Sequence, residues 1–293
     1  MQKFIIIDGN ALIHRAYHAL PPLKTKEGKL VNAVYGFTSI LFRVIKDLAP
    51  DYLAVTFDLA GPTFRDLEYK NYKAKRIRPP QELYDQIPLV KEIVKVLSIP
   101  IFEKKGFEAD DVIGTIIQKI KDNPPTGGIK NIIVTGDLDM LQLVDKQTEV
   151  YTFKKGIKDA VIYDEKAIKK RYGLLSNQLI DFRGLKGDPS DNIPGVPGIG
   201  EKTAIDLIRK FVSLDGLYKR IEASDLNPKI RARLLEYKEE ALFSRYLSKI
   251  KKDVPIVFDL AKCRFGKFNR GELKKLLESW GFNSLIKRLD MIQ

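Results

Sequence analysis

MQKFIIIDGN, residues 1–10, is the stretch that decides the fold. Phe4–Ile7 is an unbroken apolar run of β-formers, and Asp8 closes it. Such runs suit strands buried on both faces of a parallel sheet, where alternation is lost. The pattern returns at YLAVTFD (52–58), which Asp58 ends, and at IIVTGDLDML (132–141), where Asp137 and Asp139 follow the run. Between the first two runs, Val34, Phe37, Leu41, Ile45 and Leu48 keep helical spacing. A second helix is predicted over 89–97, with Pro88 at its first turn. A third carries Ala109, Val112, Ile113, Ile116, Ile117 and Ile120. Further strands are predicted at 99–102, 131–135, 150–153 and 160–162, and NPPTGG (123–128) reads as a loop. Residues 1–172 therefore read as an α/β domain with a mainly parallel central sheet flanked by helices. From Tyr172 the strands stop. Helical patterns at 178–185, 202–211, 214–221, 229–247 and 270–280 predict a second, helical domain over 173–293, opened by the Gly/Pro-rich stretch 184–200.

The acids after these runs recur at one place in the predicted sheet. Asp8 and Asp58 end strands, and Asp137 and Asp139 follow one. Glu108, Asp110 and Asp111 lie in GFEADDVIG, and Asp188 and Asp191 in GLKGDPSDNIPG. In an open α/β sheet, sites form beyond the carboxyl ends of the strands. Two carboxylates about 4 Å apart repel by roughly 4 kcal/mol at an effective dielectric of 20, so a pocket of seven to nine such groups requires counter-charge. Magnesium takes one or two carboxylates per ion and keeps several waters. The surplus points to two or more ions. Each Asp taken singly also reads as the N-cap of the next helix.

Composition narrows the class. The chain has 293 residues, 44% hydrophobic and 30% charged, a net charge of +13 and a pI near 9.5. With the acids gathered in one pocket, the basic excess lies elsewhere, and a polyanion such as nucleic acid is the expected partner. Cys263 is the only cysteine, which excludes an intramolecular disulfide and a Cys-based zinc site. It reads as a buried small hydrophobe. No signal peptide opens the chain and no run approaches the length of a membrane span, so a cytoplasmic protein that does not engage membranes is expected.

Two basic features accompany the acids. FRDLEYKNYKAKRIR (64–78) holds six Lys or Arg against two acids, with Tyr69 and Tyr72 interleaved. Cations can pair with phosphates and rings can stack on bases of a single strand. The segment starts soon after Asp58 and has little apolar patterning before Leu83, so it is expected to order on binding. GVPGIGEKTA (195–204) sets Gly198 and Gly200 in a tight turn before a helix, with Lys202 and Thr203 in its first turn. Backbone N–H groups there can meet a phosphate, and the GxxxxGK[ST] of a nucleotide P-loop is absent.

The motifs IIDGNALIHRAYHAL, VTFDLAGPTFR, YKNYKAKR, FEADDVIG, VTGDLDMLQLV and GLKGDPSDNIPGVPGIGEKTA occur in that order. Together they resemble the 5′-nuclease domain of bacterial DNA polymerase I, phage 5′-exonucleases and, more distantly, flap endonucleases. The resemblance covers the whole chain. It implies a PIN-like sheet with a basic helical arch over about 64–86, and a C-terminal domain built on a helix-hairpin-helix motif. It implies a structure-specific, metal-dependent 5′-nuclease acting on DNA at a 5′ single-strand/duplex junction, as exonuclease or flap endonuclease. Asp8, Asp58, Glu108, Asp110, Asp111 and Asp137 are expected to hold one Mg²⁺ or Mn²⁺, and Asp139, Asp188 and Asp191 a second. Lys73 and Arg76 are expected to act on the scissile phosphate. Tyr72, Arg183, Gly198, Gly200, Lys202 and Thr203 are expected to contact DNA. The implied setting is a monomer that is either free-standing or tied to a DNA polymerase domain in cis or in trans. His14 and His18 invite a general-base role, but the resemblance gives them a structural and substrate-contact one. A non-catalytic DNA clamp would keep the basic features and lose acids. A PIN-type ribonuclease would lack the helical domain.

Overall fold

The computed structural model describes residues 1–154, 156 and 159–292. The strands are β1 (Gln2–Asp8), β2 (Tyr52–Thr56), β3 (Ile101–Phe102), β4 (Ile129–Val134), β5 (Thr148–Phe153) and β6 (Ala160–Tyr163). They form one sheet in the order β3-β2-β1-β4-β5-β6, parallel throughout except for β6, which returns antiparallel to β5. Phe4 to Ile7 of β1 are fully buried, because β2 and β4 flank this strand and helices cover both faces. β1 pairs with β2 from Phe4↔Tyr52 to Asp8↔Thr56, and with β4 up to Ile7↔Val134. These registers bring Asp8, Asp58 and Asp137 to the same carboxyl edge. The strand order reverses direction at β1, so that edge is the topological switch point of the sheet.

One face of the sheet is covered by α1 (Gly9–Ala19), α2 (Asn32–Leu48) and, beyond the short α3 (Phe64–Glu68) and α4 (Gln81–Tyr84), by α5 (Ile87–Val96). Helix α1, like the later helix over Glu165–Tyr172, is not among the helices expected from sequence. Its polar residues mask a short apolar stripe, Gly9, Leu12, Ile13 and Ala16, at helical spacing. Gly9 is required there: a Cβ would lie 2.3 Å from the Phe57 ring. The opposite face carries α6 (Ala109–Asp122).

After α7 (Glu165–Tyr172) come α8 (Leu179–Lys186), α9 (Glu201–Phe211), α10 (Leu214–Arg220), α11 (Pro228–Glu236) and α12 (Lys238–Ser248). These share one core with the α6 face of the sheet. The single helix expected over 229–247 breaks into α11 and α12 at Tyr237. The last helices, α13 (Arg270–Ser279) and α14 (Asn283–Ile286), were expected with the helical domain. They pack instead on the α2/α5 face, through Leu273, Leu277, Phe282 and Leu285. Phe265 N bonds Asp51 O, and Tyr35 Oη meets Ser284 Oγ at 2.8 Å. The chain thus crosses back over the sheet and ties both faces together. Among the described residues no helix is long and apolar enough to cross a membrane.

Candidate active site

At the carboxyl edge lies an open crevice of about 690 Å³. Asp8, Asp58, Glu108, Asp110, Asp137, Asp139 and Asp191 line it together with Lys73 and Arg76. Strand ends supply Asp8, Asp58 and Asp137, the first turn of α6 supplies Asp110, and the loop between α8 and α9 supplies Asp191. Asp8 lines the crevice and also plays the N-cap role open to it from sequence. Its Oδ1 caps α1 at Ala11 N (2.9 Å), and its Oδ2 accepts from Thr135 Oγ1 (2.7 Å). Asp58 accepts from Ala109 N (2.7 Å) and Asn10 Nδ2 (2.9 Å), which joins the ends of β2, α1 and α6.

The electrostatics show crowding. Burial pushes Asp8 up to about 7 against the pull of its two hydrogen bonds, with Asp58 and Asp137 adding repulsion. Asp139 also rises to about 7, by burial first and Asp137 second. Asp58 is raised by desolvation in the crevice, with Glu108 contributing. Asp110 is raised well above the ordinary carboxylate range by burial, then by Asp137, Asp8, Glu108 and Asp58 in turn. No hydrogen-bond donor among the described residues reaches Asp110. It is a carboxylate surrounded by like charge.

Cations close over this cluster. Lys73 Nζ pairs with Glu108, and Arg76 holds Asp191 through Nε (3.0 Å) and Nη2. Arg183 on α8 bridges Asp139 and Asp188. Burial would raise Asp188, but Ser190 and Arg183 outweigh it and hold it below its ordinary value. With these cations in place, no three acidic, histidine or cysteine side chains among the described residues converge into a ready metal cage. His14 and His18 line the same crevice from α1, and burial first, then His18 and Arg76, lower His14 below its ordinary value.

Of the expected site residues, Asp111, Asp188 and Arg183 do not line the crevice, and Tyr72 lines it with its ring nearly covered. Asp111 is fully buried and does not line the crevice. Arg65 Nη1 and Nη2 grip its two oxygens at 2.7 and 2.9 Å, and Glu108 N and Lys251 N also donate to it. Tyr72 is 6% exposed, packed with Ile193 and Leu247, and its hydroxyl donates to Glu108 at 3.1 Å. It has no open face on which a base could stack. Arg183 spends its guanidinium on the two acids. Arg65 itself is the functional residue that the sequence reading missed. Its place in sequence is among the six cations of 64–78 read as phosphate partners, yet it is 3% exposed and joins α3 to the N-terminus of α6.

The segment 64–86 is helical only at its two ends, α3 and α4. Between them Lys70–Lys75 turn, and Lys73 takes a left-handed φ of 53°, its N–H bonded to Asp191 O at 2.9 Å. The expected helical arch is therefore a turn-built strap, laid across the acids rather than raised above them. On the other side of Asp191 the chain enters the hairpin. Gly187 and Gly195 cross so closely that a Cβ on either would lie within 2.5 Å of the other strand's backbone. Val196 and Ile199 close a turn, and Gly198 sits at φ 78°. Gly198, Gly200 and Lys202 are exposed and Thr203 is partly so, which leaves the first N–H groups of α9 open to solvent.

Acids gathered along the carboxyl edge of a parallel sheet, with cations held over them and an open hairpin on the same loop, make the layout of a nuclease. The chain belongs to the 5′-3′ exonuclease family. It matches that family's N-terminal resolvase-like domain over residues 3–173 and its C-terminal SAM-fold domain over residues 174–271. It is 39% identical over 288 residues to DNA polymerase I of Bacillus subtilis, covering 98% of this chain and 32% of that protein. It is 43% identical over 297 residues to DNA polymerase I of Chloroflexus aurantiacus, covering 98% and 31%. The chain thus spans about a third of the length of these relatives. Its fold is that of the bacteriophage T5 5′-exonuclease solved with zinc (TM-score 0.70, 20% identity, 99% and 98% of the two chains). It is likewise that of the Rad2 catalytic core in complex with DNA substrate (TM-score 0.59, 16% identity, 100% and 93%).

Proposed function

We propose that this family member cleaves DNA phosphodiesters near the point where a 5′ single strand meets a duplex, and that it needs divalent metal. One observation carries the metal reading: Asp110, raised well above its ordinary range among four other acids, has no donor of its own among the described residues. A wall of carboxylate oxygens with no cysteine suits hard cations, Mg²⁺ or Mn²⁺. Two T5 structures that share this fold hold metal ions, one of them together with DNA. Asp8, Asp58, Glu108, Asp110 and Asp137 would hold one ion, directly or through water, and Asp139, Asp188 and Asp191 a second. Asp111 orients Glu108 through Arg65 and the first turn of α6, and is not a ligand. Bound metal supplies an activated water and charge stabilisation on the phosphate.

The chain's own residues do the rest. Lys73 and Arg76 already sit on the acids and can pass their hydrogen bonds to a phosphate laid over the crevice, adding positive charge where negative charge develops. The strap limits the opening to a single strand. Gly198, Gly200, Lys202 and Thr203 offer N–H groups and one cation to a duplex phosphate, without reading bases. The relatives that share this domain are polymerases, so the reaction fits removal of a 5′ strand ahead of synthesis in replication or repair, with a polymerase domain in cis or in trans. The test compares 5′-labelled flap, nicked and single-stranded DNA with and without Mg²⁺. Cleavage that is undiminished in excess chelator, or that ignores the junction, rejects this reading.

A further inference from the structure

A second, smaller pocket of about 180 Å³ opens between α7, α8 and α9. It shares Leu138 and Asp139 with the acidic crevice, and Glu201, the first residue of α9, with the hairpin. It therefore lies between the hairpin and the crevice. Its free charge is basic. Arg183 is consumed by Asp139 and Asp188, but Arg171 is exposed and, among the described residues, hydrogen-bonds only the Tyr163 hydroxyl. Lys186 meets Glu201 at 3.2 Å, and that glutamate is 59% exposed. A pair of this kind is worth about 0–1 kcal/mol, so a phosphate can displace it.

Rings hold both cations in place. Arg171 lies 5.1 Å from the Tyr172 ring and Lys186 lies 5.5 Å from the Phe182 ring, with the two rings 6.1 Å apart. The Tyr172 hydroxyl has no partner among the described residues and is a third donor. Phe182 is buried and forms the floor, so the pocket suits phosphate and sugar better than a stacked base.

Building on the nuclease reading above, we propose that this pocket binds the phosphate and sugar of one nucleotide of the DNA strand running between the hairpin and the acidic crevice. Arg171 and Lys186 contact the phosphate, and Tyr172 walls the sugar. The test walks a single uncharged methylphosphonate linkage along the duplex strand, position by position from the junction. Binding is measured in Ca²⁺ with wild-type protein, with Arg171→Ala/Lys186→Ala, and with the charge-keeping Arg171→Lys/Lys186→Arg. Wild type loses affinity at one or two adjacent positions. The alanine pair binds more weakly and no longer responds at those positions, and its slope of log K against log salt falls by about 1, the share of one phosphate. The charge-keeping pair still responds. An alanine pair with the wild-type response at every position overturns the subsite. Wild-type protein that binds no junction overturns the nuclease reading and the subsite with it.

Discussion

Asp111→Asn separates the two roles open to Asp111. All five N–H donors of Arg65 are used: Nε on Leu247 O (2.8 Å), Nη1 on Asp111 (2.7 Å) and Glu108 (3.3 Å), Nη2 on Asp111 (2.9 Å) and Lys249 O (2.9 Å). The pair is out of water, with Arg65 3% and Asp111 0% exposed. An asparagine keeps the shape but not the charge, and its amide turns a donor toward Arg65 or Lys251. Only Glu108, at the longer distance, remains to balance the guanidinium. Breaking one side of a buried pair costs about 3–5 kcal/mol. For a chain of this size that lowers Tm by roughly 10 °C.

The assay is thermal unfolding by circular dichroism, in chelator and across a Mg²⁺ titration. A ligand that binds only the folded state adds about 2.7 kcal/mol at a hundred times its Kd. Asp111→Asn should melt roughly 10 °C lower throughout and keep a Mg²⁺-dependent rise. Asp110→Asn should melt at or above wild type in chelator, since it removes repulsion, and should lose most of that rise. If Asp111→Asn melts with wild type in chelator but no longer responds to Mg²⁺, Asp111 is a ligand and the positioning role is refuted.

The raised acids also set a pH dependence. Asp8 and Asp139 titrate near 7 when folded, far above the unfolded value, so between these limits the folded state holds more protons. Their contribution is complete in acid and is lost as pH rises through about 7. Melting in chelator across that range should show a flatter profile for Asp110→Asn than for wild type, and an identical profile counts against the crowded cluster. Lys73→Ala should lower the saturated single-turnover rate by about 10²–10³. Lys202→Ala should instead weaken binding alike on all sequences and reduce the salt slope by about 1, and reversed phenotypes would swap the two assignments. Val212 ends α9 at φ 73° and ψ −37°, a strained geometry for a β-branched residue. Val212→Gly should raise stability by about 1 kcal/mol in urea unfolding, and a loss would show that Val212 packing outweighs the strain.

Much of the site was legible because strand ends are legible. A buried parallel strand needs an apolar run, and the first polar residue after it must emerge at the sheet's edge, so FIIID and YLAVTFD located Asp8 and Asp58 without any tertiary information. Asp111 could not be separated from Asp110 in the same way. Adjacent residues on a helix differ by about 100° in direction, and which one faces the crevice depends on Arg65, whose burial is a long-range fact. Tyr72 was misread for a related reason. A tyrosine among lysines looks solvated until Ile193 and Leu247, distant in sequence, cover it. Helix α1 was missed because its apolar stripe has only four positions, and α13 and α14 were placed with their neighbours in sequence because nothing local records a return across the sheet.

The loop between α8 and α9 couples the two halves of the proposed reaction. Asp188 and Asp191 face the acids at one end, and Gly198 and Gly200 face solvent at the other, with the Gly187–Gly195 crossing pinned between them. The strap is tied to the same loop, by Lys73 N on Asp191 O and by Asn192 Nδ2 on Asn71 O at 2.7 Å. A duplex held at the hairpin therefore bears on the loop that fixes both the second acid group and the position of Lys73. Gly195→Ala places a Cβ 2.3 Å from Gly187 N and at an unfavourable φ of 62°, so the crossing must open. The expected result is a fall in single-turnover rate on junction DNA larger than the fall in binding, because the displaced groups are those proposed to act on the phosphate while the hairpin N–H groups keep their turn. Equal losses in the two would mean that grip and chemistry are independent.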